Sequence, residues 1–187
     1  PISRVAGGVP AAAVVKADAY GLGAGPVAAA LARAGCNHFF VAHLDEGIAL
    51  RAAVPGAAIF VLHGIAGNGE AAARAHGLTP VLSTLGQIER WSAEARRRDT
   101  RLPAALHVDT GMARLGLCEA EVDRLAAEPE RLTGLRLDLV ISHLAAAEEP
   151  ANPSNERQRL IFGRLRAKLP AAKASFANSS GVFLGAP

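Results

Sequence analysis

Seven short apolar runs punctuate the chain, and stretches of helical period separate them. The runs are Ala11–Val15, Phe39–Ala42, Ala58–Leu62, Pro80–Leu82, Ala104–Val108, Leu137–Ile141 and Ala174–Ala177. Between them lie Ala24–Ala34, Asp45–Ala53, Gly69–Ala75, Leu85–Arg98, Glu119–Ala127 and Asn155–Leu169, rich in Ala, Leu and Arg. Strand followed by helix, repeated, predicts a parallel sheet covered by helices. Successive runs begin roughly 20 to 37 residues apart, enough for a crossover helix each time.

Two architectures suit this pattern, an open doubly wound sheet and a closed (β/α)8 TIM barrel. A dinucleotide fold would carry G-x-G-x-x-G after its first strand, and no such fingerprint stands there. Polar residues instead end several different strands: Lys16, His43, His63, His107, Asp109, His143 and Asn178. In a barrel that rim is where a site is assembled. The expectation is therefore a (β/α)8 barrel with about seven of its eight strands present. Barrels run to about 250 residues, and this chain has 187, from Pro1 to Pro187. It is read as an incomplete barrel domain spanning 1–187, a piece of a longer protein.

Composition narrows the function classes. With 50% hydrophobic and 20% charged residues, the chain is neither disordered nor a disulfide scaffold. No apolar run nears the roughly 18 residues of a membrane span. Two cysteines, Cys36 and Cys118, make no framework, so a reducing cytoplasm is expected. Net charge is +3 and aromatic residues are only 4%. The basic excess thus reads as solvated helix faces rather than a nucleic-acid stripe, and a small anionic ligand stays open.

Lys16 ends the first run, after Ala11-Ala12-Ala13-Val14-Val15. A lysine among apolar neighbours suits Schiff-base chemistry, which needs the uncharged amine. The plainer reading is a rim lysine reaching water or pairing with Asp18. Tyr20, the chain's one tyrosine, follows by four residues beside Gly21 and Gly23, and a hydroxyl near permissive glycines can bind an anion. His107 to Gly116 gathers a carboxylate, a hydroxyl and Arg114, whose planar fork suits a carboxylate or phenolic oxygen. His143 ends the sixth run. Rim histidines raise a metal-hydrolase reading, yet no H-x-H or H-E-x-x-H occurs. His38 and His76 read as histidines satisfied by hydrogen bonds. Asn178-Ser179-Ser180-Gly181 fits either a late-barrel phosphate site or a helix cap.

Taken together these segments resemble the alanine racemase family. Val14-Val15-Lys16-Ala17-Asp18-Ala19-Tyr20-Gly21 looks like its pyridoxal-phosphate lysine motif, and Asp109-Thr110-Gly111-Met112-Ala113-Arg114-Leu115-Gly116 like a second motif. Ser142-His143-Leu144, Glu149-Pro150 and Asn155-Glu156-Arg157-Gln158 resemble a third, and Asn178-Ser179 a fourth.

The resemblance implies a pyridoxal 5'-phosphate enzyme that interconverts L-alanine and D-alanine by two-base proton transfer. It implies that Lys16 holds the cofactor as an aldimine and serves as base on the D face. Arg114 would bond the cofactor's phenolic oxygen and orient substrate. Tyr20 and Ser179, beside Asn178, would hold the phosphate, and His143 would line the ring side. It further implies a homodimer whose other base is a tyrosine from the partner's C-terminal β domain, a domain expected to lie outside this chain. Alone, the chain is expected not to racemise alanine. The product D-alanine points to bacterial cell-wall supply.

Three positions depart from the family pattern. His107 stands where some members carry a lysine that can be carbamylated, Leu22 replaces a histidine, and Ala146 interrupts the stretch after His143. Alternatives are a broad-specificity amino-acid racemase of the same fold and a barrel that binds pyridoxal phosphate without turnover.

Overall fold

Seven strands, all parallel, stand in one sheet in their order along the chain: β1 (Ala13–Val14), β2 (His38–Val41), β3 (Ala58–Val61), β4 (Leu78–Leu82), β5 (Leu102–His107), β6 (Leu135–Ile141) and β7 (Lys173–Ser175). This is a computed structural model, and it describes residues 2–184. Helices follow the strands: α1 (Ile2–Val5) precedes β1, and then come α2 (Lys16–Gly21), α3 (Ala24–Arg33), α4 (Leu44–Arg51), α5 (Glu70–Ala75), α6 (Leu85–Arg97), α7 (Glu119–Ala127) and α8 (Pro153–Ala167). A doubly wound sheet reverses its strand order part-way. Here the order never reverses, so the sheet is singly wound, as in a barrel wall.

Strands β2 to β6 alternate between two cores, because successive side chains point to opposite faces. Phe39, Val41, Ile59, Val61, Leu106 and Val140 pack outward into the helices. Phe40, Phe60, Val81, Ala105 and Ile141 form a separate inner cluster. Register explains the inner layer: Phe40 pairs with Phe60, and their rings stack at 4.8 Å. Burying each of these rings stabilises the fold by roughly 2–3 kcal/mol. Val14 pairs with Phe40 on the same face but keeps 44% exposure, since among the described residues β1 pairs with β2 alone.

The helices begin where the sequence offers caps. Thr84 accepts a hydrogen bond from the Gln87 N–H at 3.2 Å to start α6, and Asn152 accepts from the Ser154 N–H at 3.0 Å before Pro153 opens α8. Trp91 on α6 is 1% exposed and donates its indole N–H to the Pro103 carbonyl at 3.0 Å, tying that helix to β5.

Most expected elements appear within two residues of their expected ends. The first strand is shorter than Ala11–Val15: its regular pairing covers Ala13–Val14, and one further bond runs from the Val15 N–H to the Phe40 carbonyl at 2.9 Å. The segment after it is the short helical turn α2.

Candidate active site

Strand parity builds the top layer of the site. Two residues beyond the inner-layer positions Val14, Ala105 and Ile141 come Lys16, His107 and His143, on the same face. All three line one cavity of about 1060 Å³ at the carboxyl ends of the strands and along the open trough below. Tyr20, Arg114, Asn178 and Ser179 line it too. The six residues proposed from sequence, separated by up to 163 positions, thus meet at one cavity.

Lys16 enters it through unusual backbone. Ala17, Asp18, Ala19 and Tyr20 have φ of 50, 51, 53 and 56°, a single left-handed turn that costs L-residues roughly 1–2 kcal/mol each. Such strain persists only where surroundings over-determine it. Glu46 Oε1 accepts from the Ala17 N–H at 2.8 Å, and Glu46 Oε2 accepts from the Ala42 and His43 N–H groups at 2.6 and 3.0 Å. At the exit, Asp18 Oδ1 accepts from the Ala24 N–H at 2.7 Å and the Asp18 carbonyl accepts from the Gly23 N–H at 2.9 Å. One turn returns the fourth residue to the side it left, so Lys16 and Tyr20 reach the same cavity.

Arg114 sits on a lasso leaving β5. Asp109 Oδ1 accepts from the N–H groups of Gly111, Met112 and Ala113 at 2.9, 3.0 and 3.1 Å. The loop closes where the Leu117 N–H donates to the His107 carbonyl at 2.8 Å and the Asp109 N–H to the Leu117 carbonyl at 2.9 Å. Gly116 must be glycine: its φ is +116°, and a Cβ there would lie 2.7 Å from the Asp109 nitrogen. Ala113, just before Arg114, is another left-handed residue at φ 55°.

Gln158, 2% exposed on α8, ties this loop to β6. Its amide nitrogen donates to Thr110 Oγ1 at 3.1 Å and to the His143 carbonyl at 3.0 Å, and its oxygen accepts from the Ala145 N–H at 2.9 Å. Thr110 Oγ1 and Ser142 Oγ share a bond of 2.8 Å. Asn155 donates to the Ala146 and Glu149 carbonyls at 3.1 and 3.0 Å, so the Asn155–Gln158 motif braces the rim from behind.

The electrostatics are those of an anion site. Burial pushes His107 down to about 4, with the positive fields of His143 and Arg114 adding to it against Asp109. Burial also lowers His143, helped by Arg114 and Lys16 and opposed by Glu148. His63 is lowered by burial, then by His43, Lys16 and Arg114, against Glu46. The imidazoles are therefore held toward their neutral forms, while Lys16 and Arg114 supply the mouth's charge. The buried Nδ1 of His107 has no hydrogen-bond partner.

Some expectations change. Asn178 is in part a cap: its Oδ1 accepts from the Gly181 N–H at 2.8 Å and starts the 3₁₀ turn Gly181–Leu184. Its amide nitrogen is the end that can donate to an anion in the cavity. Among the described residues no hydrogen bond satisfies the ring of His38 or His76: His38 stacks on Phe60 at 6.2 Å, and His76 is exposed just past α5. Glu46 was missed from sequence, although a glutamate three residues after the residue preceding a helix is a capping pattern. Among the described residues no set of three or more His, Cys, Asp or Glu is placed to hold a metal ion, and no helix is long and apolar enough to cross a membrane.

A singly wound parallel sheet, with helices between its strands and a lysine after the first, defines a βα-barrel protein. The chain belongs to the alanine racemase family: the model of the alanine racemase N-terminal domain matches residues 2–187. A catabolic alanine racemase of Mesorhizobium japonicum is 53% identical over 185 residues, covering 98% of this chain and 49% of that protein. An alanine racemase of Brucella ovis is 50% identical over 175 residues, covering 93% and 44%. The crystal structure of alanine racemase from Bartonella henselae with covalently bound pyridoxal phosphate superposes with a TM-score of 0.95 at 38% identity, covering 98% of this chain and 54% of that one. The chain spans about half the length of the curated relatives it matches.

Proposed function

We propose that these residues are the larger part of the pyridoxal-phosphate-binding barrel domain of a longer alanine racemase. One observation carries the reading: Lys16 shares a single cavity with Tyr20 and Arg114. The donor set fits the cofactor, with an amine for its aldehyde and hydroxyls and fixed cations for its anionic groups. Pyridoxal phosphate, when bound, supplies an electron sink that acidifies the α-carbon of an amino acid.

The chain's own residues do the rest. Lys16 would hold the cofactor through Nζ, and its amine would move a proton at one face of the substrate's α-carbon. The Tyr20 and Ser179 hydroxyls, with the Asn178 amide nitrogen, would bind the phosphate. Arg114, which lines the same cavity, would bind the phenolic oxygen and the carboxylate of alanine. His143, held toward neutrality, lines the ring side without adding charge. The opposite-face base comes from a tyrosine of a partner subunit in a homodimer. The setting is the bacterial cytoplasm, where D-alanine feeds cell-wall synthesis.

Borohydride reduction of the full-length protein followed by peptide mapping tests this. The expected result is a reduced pyridoxyl adduct on Lys16, with racemisation of alanine by the unreduced enzyme. An adduct elsewhere, or none, would overturn the proposal.

A further inference from the structure

Glu46 does more than a capping glutamate needs to do. At the third position of α4 its carboxylate caps the His43 N–H, as a capping box requires. It also binds the Ala42 N–H at the end of β2, and its other oxygen crosses 29 residues to the Ala17 N–H. Ala17 is the first left-handed residue after Lys16. Burial of the carboxylate raises its pKa, but the three backbone donors outweigh that and hold it below the usual carboxylate range. The anion is thus the form this geometry uses.

We propose that Glu46 is a positioning residue for Lys16: it pins the left-handed turn to the end of β2, so that Lys16 and Tyr20 are presented together to the cavity. The role ascribed to Lys16 rests on the proposed function, whereas the pinning itself does not. Both oxygens are needed. A glutamine keeps one acceptor and turns an N–H₂ toward the other donors, while an aspartate keeps the charge but is one methylene too short to span them.

The test is hydrogen exchange on the full-length apoprotein, read at residues 16–22, 42–47 and 102–107, with E46Q and E46D alongside. In the unmodified protein the exposed Ala17 amide should be protected. Both variants should exchange about tenfold or more faster at 17–20, with 102–107 unchanged. In titrations with pyridoxal phosphate alone, affinity should weaken about tenfold or more. Loss of protection confined to 42–47 would reduce Glu46 to a helix cap and overturn the proposal, as would an unprotected Ala17 amide in the unmodified protein. That last measurement needs no variant, so it decides the matter even if E46Q does not fold. If the unmodified protein takes up no pyridoxal phosphate, the proposed function fails while the exchange result still judges the pinning.

Discussion

Gln158 and Thr110 lie 48 residues apart in sequence, and the buried amide of the first donates to the hydroxyl of the second at 3.1 Å. That bond, with those to the His143 carbonyl and the Ala145 N–H, locks the loop bearing Arg114 against the strand end bearing His143. The two segments are thus tied into one edge of the cavity.

Gln158→Ala should therefore destabilise the protein by about 2–4 kcal/mol, because it strands buried polar partners as well as removing packing. Urea unfolding measures this. A loss below about 0.5 kcal/mol, the range of an ordinary surface substitution, would show that the brace is not formed.

Gly116→Ala asks the backbone to accept a Cβ 2.7 Å from the Asp109 nitrogen at a φ of +116°. The lasso must open, at a cost of roughly 3 kcal/mol or more. Thermal melting should fall accordingly, and substrate binding through Arg114 should weaken. An unchanged melting temperature is the contrary result.

Ala17→Gly should behave opposite to a helix-interior change. In a right-handed helix the replacement costs about 1 kcal/mol. At φ 50°, with Ala17 exposed and little packing lost, relief of left-handed strain should leave stability unchanged or raised by up to about 1 kcal/mol. Denaturation that shows a loss of 1 kcal/mol would mean that the turn is right-handed in solution.

His107, lowered from 6.5 to about 4, links stability to acid. Above its unfolded pKa the group is neutral in both states and has no effect. As pH falls from about 6.5 toward 4 the unfolded chain binds the proton first, so stability drops, and below the folded pKa the loss levels off. The loss amounts to roughly 3 kcal/mol. Comparing denaturant midpoints of the unmodified protein and His107→Asn across that range isolates it from the carboxylates. Parallel curves would refute the shift.

Much of this was legible in sequence, for reasons particular residues make plain. Phe39-Phe40-Val41 and Ala58-Ile59-Phe60 declare strands because both faces of a barrel wall are buried. Lys16 ending such a run, and the Asp109–Gly116 segment with its glycines, mark the rim in the sequence. The order of strands and helices, and which side chains end them, follow from the sequence alone, since those depend on local period and composition.

Tertiary structure alone decided the hand of the Ala17–Tyr20 turn and the braces behind the site. Alanine, aspartate and tyrosine all prefer the right-handed region, so no local rule predicts four successive positive φ values. Their sign is held in part by a carboxylate 29 residues away. Likewise Gln158 looks like one more polar position on an Arg-rich helix until α8 packs it against Thr110 and the His143 carbonyl. Periodicity reports which face of an element is buried. Which donor meets which acceptor depends on how separate elements pack, and only the assembled fold contains that.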